Sequence, residues 1–266
     1  MGLAEDGTIL YDTKSIEDIE VGDLVYSYNT ITGEYEYSEV TSTMALTSKH
    51  VCYLTIEDEQ GNEQTIETTD AHPFWVVSED PDLTRSAGEY VNENGVWLYH
   101  ENMAPTDNGY WVEAKDLRVG DVFLGADGKL STLTNKTRVE QDGGIAVFNF
   151  TVEGNHNYFV LAKDFGYGQS CVLVHNACWD DLLENSLLIK PAKRTNAAIY
   201  QRPGGISQAV DDFYSLKPEN VKTYSNGAMS GILSDGTMID IHMSSTTGLA
   251  TLGIHTAPNP IKIRYN

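Results

Sequence analysis

Asp18-Ile-Glu-Val-Gly-Asp-Leu-Val25 returns later in the chain as Asp116-Leu-Arg-Val-Gly-Asp-Val-Phe123. Each copy reads as a turn leading into a strand, with Gly22 and Gly120 at matching places. The repeat implies an internally duplicated β fold. The flanking segments agree. VGDLVYSYN (21–29), YSEVTSTMAL (37–46), HVCYLTIEDE (50–59) and NEQTIETT (62–69) alternate apolar with polar residues and are rich in β-branched and aromatic types. Thr32-Gly33, Gly61-Asn62, Asp127-Gly128 and Asp142-Gly143-Gly144 supply the turns. Almost no helical period is present before residue 177. Ser78–Trp111 is polar, rich in Asn, Glu and Gly, and holds Pro81 and Pro105. It reads as an insertion, a loop or hairpin, within an otherwise all-β module.

Charge divides the 266 residues at the same place as texture. Residues 1–176 carry 9 Lys and Arg against 31 Asp and Glu, whereas 177–266 carry 8 of each. The whole net charge of −22 therefore lies in the first module. Its field repels phosphates and disfavours nucleic-acid binding there, while the neutral second module stays open to it. With 41% hydrophobic and 10% aromatic residues, the chain has enough to bury, which excludes disorder as its main state. No apolar run approaches the roughly 18 residues of a membrane span. The opening MGLAEDGTIL has neither the basic nor the apolar region of a secretory signal, so any export signal is expected elsewhere. Three cysteines, Cys52, Cys171 and Cys178, with no CxxC pair, argue against a disulfide scaffold and a structural zinc site.

Beyond Asn176, Trp179–Ile189 carries apolar residues at helical spacing, and Lys190–Thr195 is a basic connector. Gly204-Gly205 precedes a short helix expected over 206–214. Strands are expected around 221–224, 229–233, 237–242, 250–255 and 261–265, separated by Asn226-Gly227, Asp235-Gly236 and Thr247-Gly248. The second module is thus a small α+β domain, helix first and then an antiparallel meander. Its boundaries are 177–266, with 177–203 as helix and linker and 204–266 as core.

Four segments of the first module carry chemistry-bearing residues. Thr69-Asp-Ala-His72 follows a strand and precedes Pro73-Phe-Trp75. His156 sits in Val152-Glu-Gly-Asn-His-Asn-Tyr-Phe-Val160. His175-Asn176 ends the apolar strand Cys171–Val174. Gly2–Leu10 leads into the first Val-Gly-Asp strand. Together these blocks resemble the Hint superfamily of inteins, hedgehog autoprocessing domains and bacterial pretoxin Hint domains, with the pretoxin branch matching best. The resemblance covers about 3–176 and implies a Hint-like fold with autoproteolytic activity. Asn176 can cut the chain by attacking its own carbonyl with its side-chain amide, which needs a proton donor and oxyanion support. His175 and His156 are suited to both. By resemblance, Thr69 and His72 act at the N-terminal junction, polarising the bond that a Cys or Ser attacks. Here the sequence departs from the family pattern. The nucleophile's place falls near Gly2, and no Cys or Ser lies in the first ten residues. The acyl shift is therefore not expected. Residue 177 is Ala, so splicing is not expected either, and cleavage between Asn176 and Ala177 remains.

A pretoxin Hint domain implies cargo, here the C-terminal toxin tip of a secreted polymorphic toxin used in interbacterial competition. Residues 200–266 resemble toxin tips of contact-dependent and LXG-type systems, some of them ribonucleases. Metal-free RNA cleavage needs a base, an acid and a cation. His242 and His255 are the module's only histidines and end neighbouring strands. Ser244 and Ser245 lie in a hydroxyl-rich turn suited to phosphate. Lys262 and Arg264 are two apart, so they share a face. Tyr265 is suited to stacking a base, and Asp240 to orienting His242. The alternatives are a DNase or other nucleotide-directed enzyme, or a non-enzymatic receptor-binding tip. No cofactor or metal is expected. The implied partners are an RNA substrate in the target-cell cytoplasm and a cognate immunity protein, with the chain itself monomeric.

Overall fold

The computed structural model describes residues 2–3, 9–10, 13–91, 97–99, 102–162, 170–175, 186–190, 197–216, 218–233, 236–242, 248–255 and 260–266. The chain forms two compact units, Met1–Ala87 with Asn102–Ala177, and Gly88–Glu101 with Cys178–Asn266.

In the first unit β1 (Gly2–Leu3) and β2 (Ile9–Leu10) form a short ladder. The remaining strands are β3 (Leu24–Tyr28), β4 (Tyr35–Asp58), β5 (Glu63–Thr68) and β6 (Pro73–Val77). After β7 (Glu89–Val91) and β8 (Trp97–Tyr99), a hairpin that belongs to the second unit, come β9 (Gly109–Glu113) and β10 (Val122–Leu124). β11 (Leu130–Val152), β12 (Asn157–Val160) and β13 (Val172–His175) complete it. They form one sheet in the order β12-β13-β6-β10-β11-β4-β3, with β5 on β4 and β9 on β6. Its core includes Val40, Leu54, Ile56, Phe74, Val112, Phe123, Leu133, Val152, Val172 and Val174.

The sequence repeat is a structural repeat down to its hydrogen bonds. Gly22 N donates to Val40 O (2.8 Å) and Gly120 N to Leu133 O (2.8 Å), while Val40 N and Leu133 N return bonds to Asp23 O and Asp121 O. The aspartate closes its own turn in both copies. Asp23 accepts from Glu20 N and Asp121 from Arg118 N. Both glycines take a left-handed φ, +94° and +99°, that a side chain disfavours.

Three expectations change. The segments expected as separate strands at 37–46 and 50–59 are one 24-residue strand, β4. Asp142-Gly143-Gly144 is not a hairpin turn. β11 runs through it, and the extra residues are absorbed as a register shift between Glu140 and Ile145 opposite Ser48–His50. The insertion expected over 78–111 is narrower, because Gly109–Glu113 is a wholly buried strand paired with β6.

The second unit holds β14 (Leu187–Lys190), β15 (Ala198–Arg202), helix α1 (Gly205–Ser215) and β16 (Glu219–Thr223). β17 (Met229–Ile232), β18 (Met238–His242), β19 (Ala250–Ile254) and β20 (Ile261–Tyr265) follow. The sheet order is β14-β15-β20-β19-β18-β17-β16. The helix expected over 179–189 is overturned where the structure describes it, since 187–189 belong to strand β14. The arrangement is also more than helix then meander. β15 precedes the helix and pairs parallel with β20, so the chain crosses over to bring β20 between β15 and β19. Ala209, Phe213, Ile239, Ile241, Leu252, Ile254 and Ile263 form the buried side of this unit. Among the described residues no helix is long and apolar enough to cross a membrane.

Candidate functional site

β12 and β13 pair antiparallel with Asn157 opposite His175. β13 pairs with β6 through Val174 and Phe74, and β6 with β9 through Trp75 and Trp111. His72, just before β6, and His175, just after Val174, therefore lie at one end of the sheet, where His156 also enters β12. The His156 and His175 ring centroids are 6.3 Å apart. Trp111 meets His175 edge to face at 5.0 Å. His175 is wholly buried, because β13 is packed on both faces. His72 approaches the rings of Phe74 (5.8 Å) and Tyr158 (6.5 Å). It keeps some accessible surface, yet enough protein surrounds the ring that burial lowers its pKa to about 4. It is neutral at physiological pH. Thr69 opens the turn that ends at His72, and its carbonyl accepts from His72 N (3.3 Å). Asn176 lies outside the described residues.

The asparagines flanking His156 hold it in place, a role that the sequence reading missed. Asn157 Oδ1 accepts from Tyr28 N (2.9 Å) and Ser27 Oγ (3.2 Å), and its Nδ2 donates to Tyr28 O (2.8 Å) and Asn155 O (3.0 Å). Asn155 Nδ2 donates to Ser27 Oγ (3.0 Å). This tethers the turn to β3 and lets His156 keep a left-handed φ of +55°. From the other side, Asn102 Nδ2 donates to Gly154 O (2.7 Å), and Trp111 Nε1 donates to Asn102 O (3.0 Å). The signal was the Asn-His-Asn pattern itself: two amides around a histidine in a turn can satisfy several backbone groups at once.

In the second unit Asp240 pairs with Gly253 across β18–β19, and Gly253 with Lys262 across β19–β20. His242, Thr251 and Arg264 form the adjacent row of the same sheet face. Asp240 lies between the two histidines, with Oδ2 3.0 Å from His242 Nε2 and Oδ1 3.2 Å from His255 Nε2. Gly253 makes this possible, since a Cβ there would stand 2.3 Å from Asp240 Oδ1. Asp240 was expected to orient His242; that it also reaches His255 was not foreseen. Ser244 and Ser245 lie outside the described residues. Tyr265 must be corrected. It is 1% exposed, on the opposite face from Lys262 and Arg264, beside Asp212 of α1. Burial pushes its phenol far up, and a ring so enclosed cannot stack a base. The alternation along 261–265 already separates Tyr265 from Lys262 and Arg264. Among the described residues no three His, Cys, Asp or Glu side chains are grouped to hold a metal ion.

Comparison with known proteins bears on the first unit. Residues 9–82 and 86–177 match the model of the pretoxin HINT domain. An intein-like domain from Clostridium thermocellum is 27% identical, covering 65% of this chain and 92% of its own, with a TM-score of 0.42. A DnaB intein from Synechocystis sp. PCC 6803 is 18% identical over 61% of this chain and 86% of its own (TM-score 0.36). An intein from a hyperthermophile is 16% identical over 57% and 71% (TM-score 0.37). No curated protein matches. The family model spans more than half of the chain, takes in the Thr69–His72 turn, His156 and His175, and ends at residue 177. On that match, the chain belongs to the pretoxin HINT domain family.

Proposed function

We propose that the first unit is the self-processing domain of a secreted toxin precursor, that it cuts between Asn176 and Ala177, and that residues 177–266 then act as a ribonuclease. The observation that carries the first part is the convergence of His156 and His175 at the end of β13, directly before Asn176. The Asn176 side-chain nitrogen attacks its own backbone carbonyl carbon. The bond to the Ala177 nitrogen breaks, a C-terminal succinimide forms, and the departing amine takes a proton. The proton that the attacking amide nitrogen gives up is the one the amine gains, relayed by one imidazole, while the other imidazole supports the carbonyl oxygen as it gains charge. Thr69 and His72 belong to the N-terminal junction, near Gly2. With Ala at 177 the reaction ends as cleavage and not as splicing. Mass spectrometry of the incubated chain tests this. A 1–176 product ending in succinimide or Asn, together with a product starting at Ala177, is expected. Both should vanish in Asn176→Ala. An intact chain throughout would overturn the reading.

The ribonuclease reading rests on Asp240 between His242 and His255, with Lys262 and Arg264 on the same face. One imidazole takes the proton of a ribose 2′-hydroxyl while the other protonates the leaving 5′-oxygen. Lys262 and Arg264 stabilise the phosphorane between them. A cognate immunity protein covering this face, and action in the cytoplasm of a target cell, follow from the same reading. Total RNA, tRNA and plasmid DNA are incubated with the chain and with its 177–266 product, with and without chelator. Chelator-resistant RNA cleavage that falls on the order of 100-fold or more in His242→Ala and His255→Ala is expected. Cleavage of DNA alone, or intact nucleic acid throughout, would reject it.

A further inference from the structure

The turn Thr69–His72 contains a side chain with no part in the chemistry above. Asp70 points inward and is 8% exposed. Its Oδ1 accepts from Cys52 Sγ (2.9 Å) and its Oδ2 from Arg138 Nε (2.7 Å), while His50 Nε2 lies 3.2 Å from Oδ2. His50 and Cys52 stand on β4 and Arg138 on β11, where Arg138 is the register partner of Cys52. The backbone of the turn is held as well. Asp70 O accepts from Lys115 N and His72 O from Ala114 N, both at 2.9 Å. Lys136 in turn fastens that donor segment, giving its own hydrogen bonds to Ala114 O, Lys115 O and Leu117 O. A carboxylate this enclosed costs several kcal/mol unless its oxygens are paired. A small apolar residue closes a turn without that cost, so the pairing implies a demand on where the turn sits. The β4–β11 register shift begins at His50 and Glu140, beside this cluster.

We propose that Asp70 is a positioning residue: by accepting from Cys52 and Arg138 at once, with His50 Nε2 close by, it fixes the Thr69–His72 turn on the β4–β11 pair and so holds the His72 imidazole among Phe74 and Tyr158. The inference rests on the self-processing reading for its purpose, but its geometry stands apart from any cleavage.

The test follows His72 by NMR titration in the full chain, as parent, Asp70→Ala, Asp70→Asn and Arg138→Lys. His72 in the parent is expected to titrate near pH 4. Asp70→Ala releases the turn, and proton binding by His72 tightens at least tenfold as the ring gains solvent. Asp70→Asn, which keeps acceptor and shape, shifts it less. Alkylation of Cys52 becomes detectable in Asp70→Ala and stays absent in the parent. A folded Asp70→Ala chain whose His72 titrates as in the parent overturns the proposal. Should Asp70→Ala fail to fold, Arg138→Lys decides. It keeps the charge but not the guanidinium Nε contact, and an unmoved His72 there is equally fatal. If His72 shifts while no variant or parent ever cleaves at Asn176, the positioning role holds and the self-processing reading falls.

Discussion

His72 shows how burial alone sets a protonation state. Its pKa of about 4 in the folded chain lies below the ordinary 6.5. Between these values the unfolded chain binds the proton and the folded chain does not. Stability from this group is therefore complete above pH 6.5 and is lost as pH falls toward 4, by about 3 kcal/mol at most. Denaturant unfolding at pH 7 and pH 4.5 measures this, and His72→Gln should flatten the difference. Asp58 and Asp70, whose carboxyls are held below their ordinary value, lose stability only at lower pH, so the windows separate. For Asp70 burial works against ionisation, and the bonds from Cys52 and Arg138 outweigh it. Asn157 is a second residue-scale case. It is 1% exposed and all four of its bonds lie between β12 and β3 or the His156 turn. Asn157→Ala leaves Tyr28 N and O unmatched, and a loss of about 2–4 kcal/mol is expected. Asn176 cleavage should slow with it, read from the same mass-spectrometric time course.

At the scale of elements, the duplicated turn and the β18–β19 pair make opposite demands on glycine. At Gly22 and Gly120 a Cβ would meet nothing within 4 Å. The cost of Gly22→Ala or Gly120→Ala is then conformational, about 1–2 kcal/mol each. The two turns share no partner, so the double variant should lose close to the sum of the two. A double variant much less affected than that would show that the copies are not independent. At Gly253 the objection is steric, since a Cβ would collide with Asp240 Oδ1. Gly253→Ala must turn Asp240 away from His255. RNA cleavage should fall about as far as in His255→Ala, while the melting temperature drops by only a few degrees. Full activity in Gly253→Ala would remove Asp240 from the proposed site.

For the molecule as a whole, the uneven charge predicts how the products behave. The first 176 residues carry the entire net charge of −22, and residues 177–266 carry none. On anion exchange at pH 7 and low salt, the first product should bind firmly and the second should pass through. Elution of both together at low salt, separated only as salt rises, would show that they stay associated after the cut by charge. The same chromatogram reports the extent of cleavage.

The duplicated turn was legible from the sequence because its causes are local: a glycine at positive φ, and an aspartate that bonds its own turn three residues back. The charge break at Asn176 and the shared face of Lys262 and Arg264 were legible for the same reason, since neighbours along the chain suffice to define them. What the tertiary structure decided depends on partners distant in sequence. Alternation could not show that β4 passes unbroken through 24 residues, because only pairing with β11 absorbs the irregularity at Glu140–Ile145. Nor could helical spacing exclude a strand at Leu187–Lys190, where the hydrogen-bonding edge of β15 overrides local preference. Asp70 and Asp240 are ordinary acidic residues in a chain that has 39. Only the approach of Cys52 and Arg138 from two strands, and of two histidines with a glycine between them, sets these carboxylates apart, because a carboxylate's role is fixed by the charges and donors brought within about 3 Å of it.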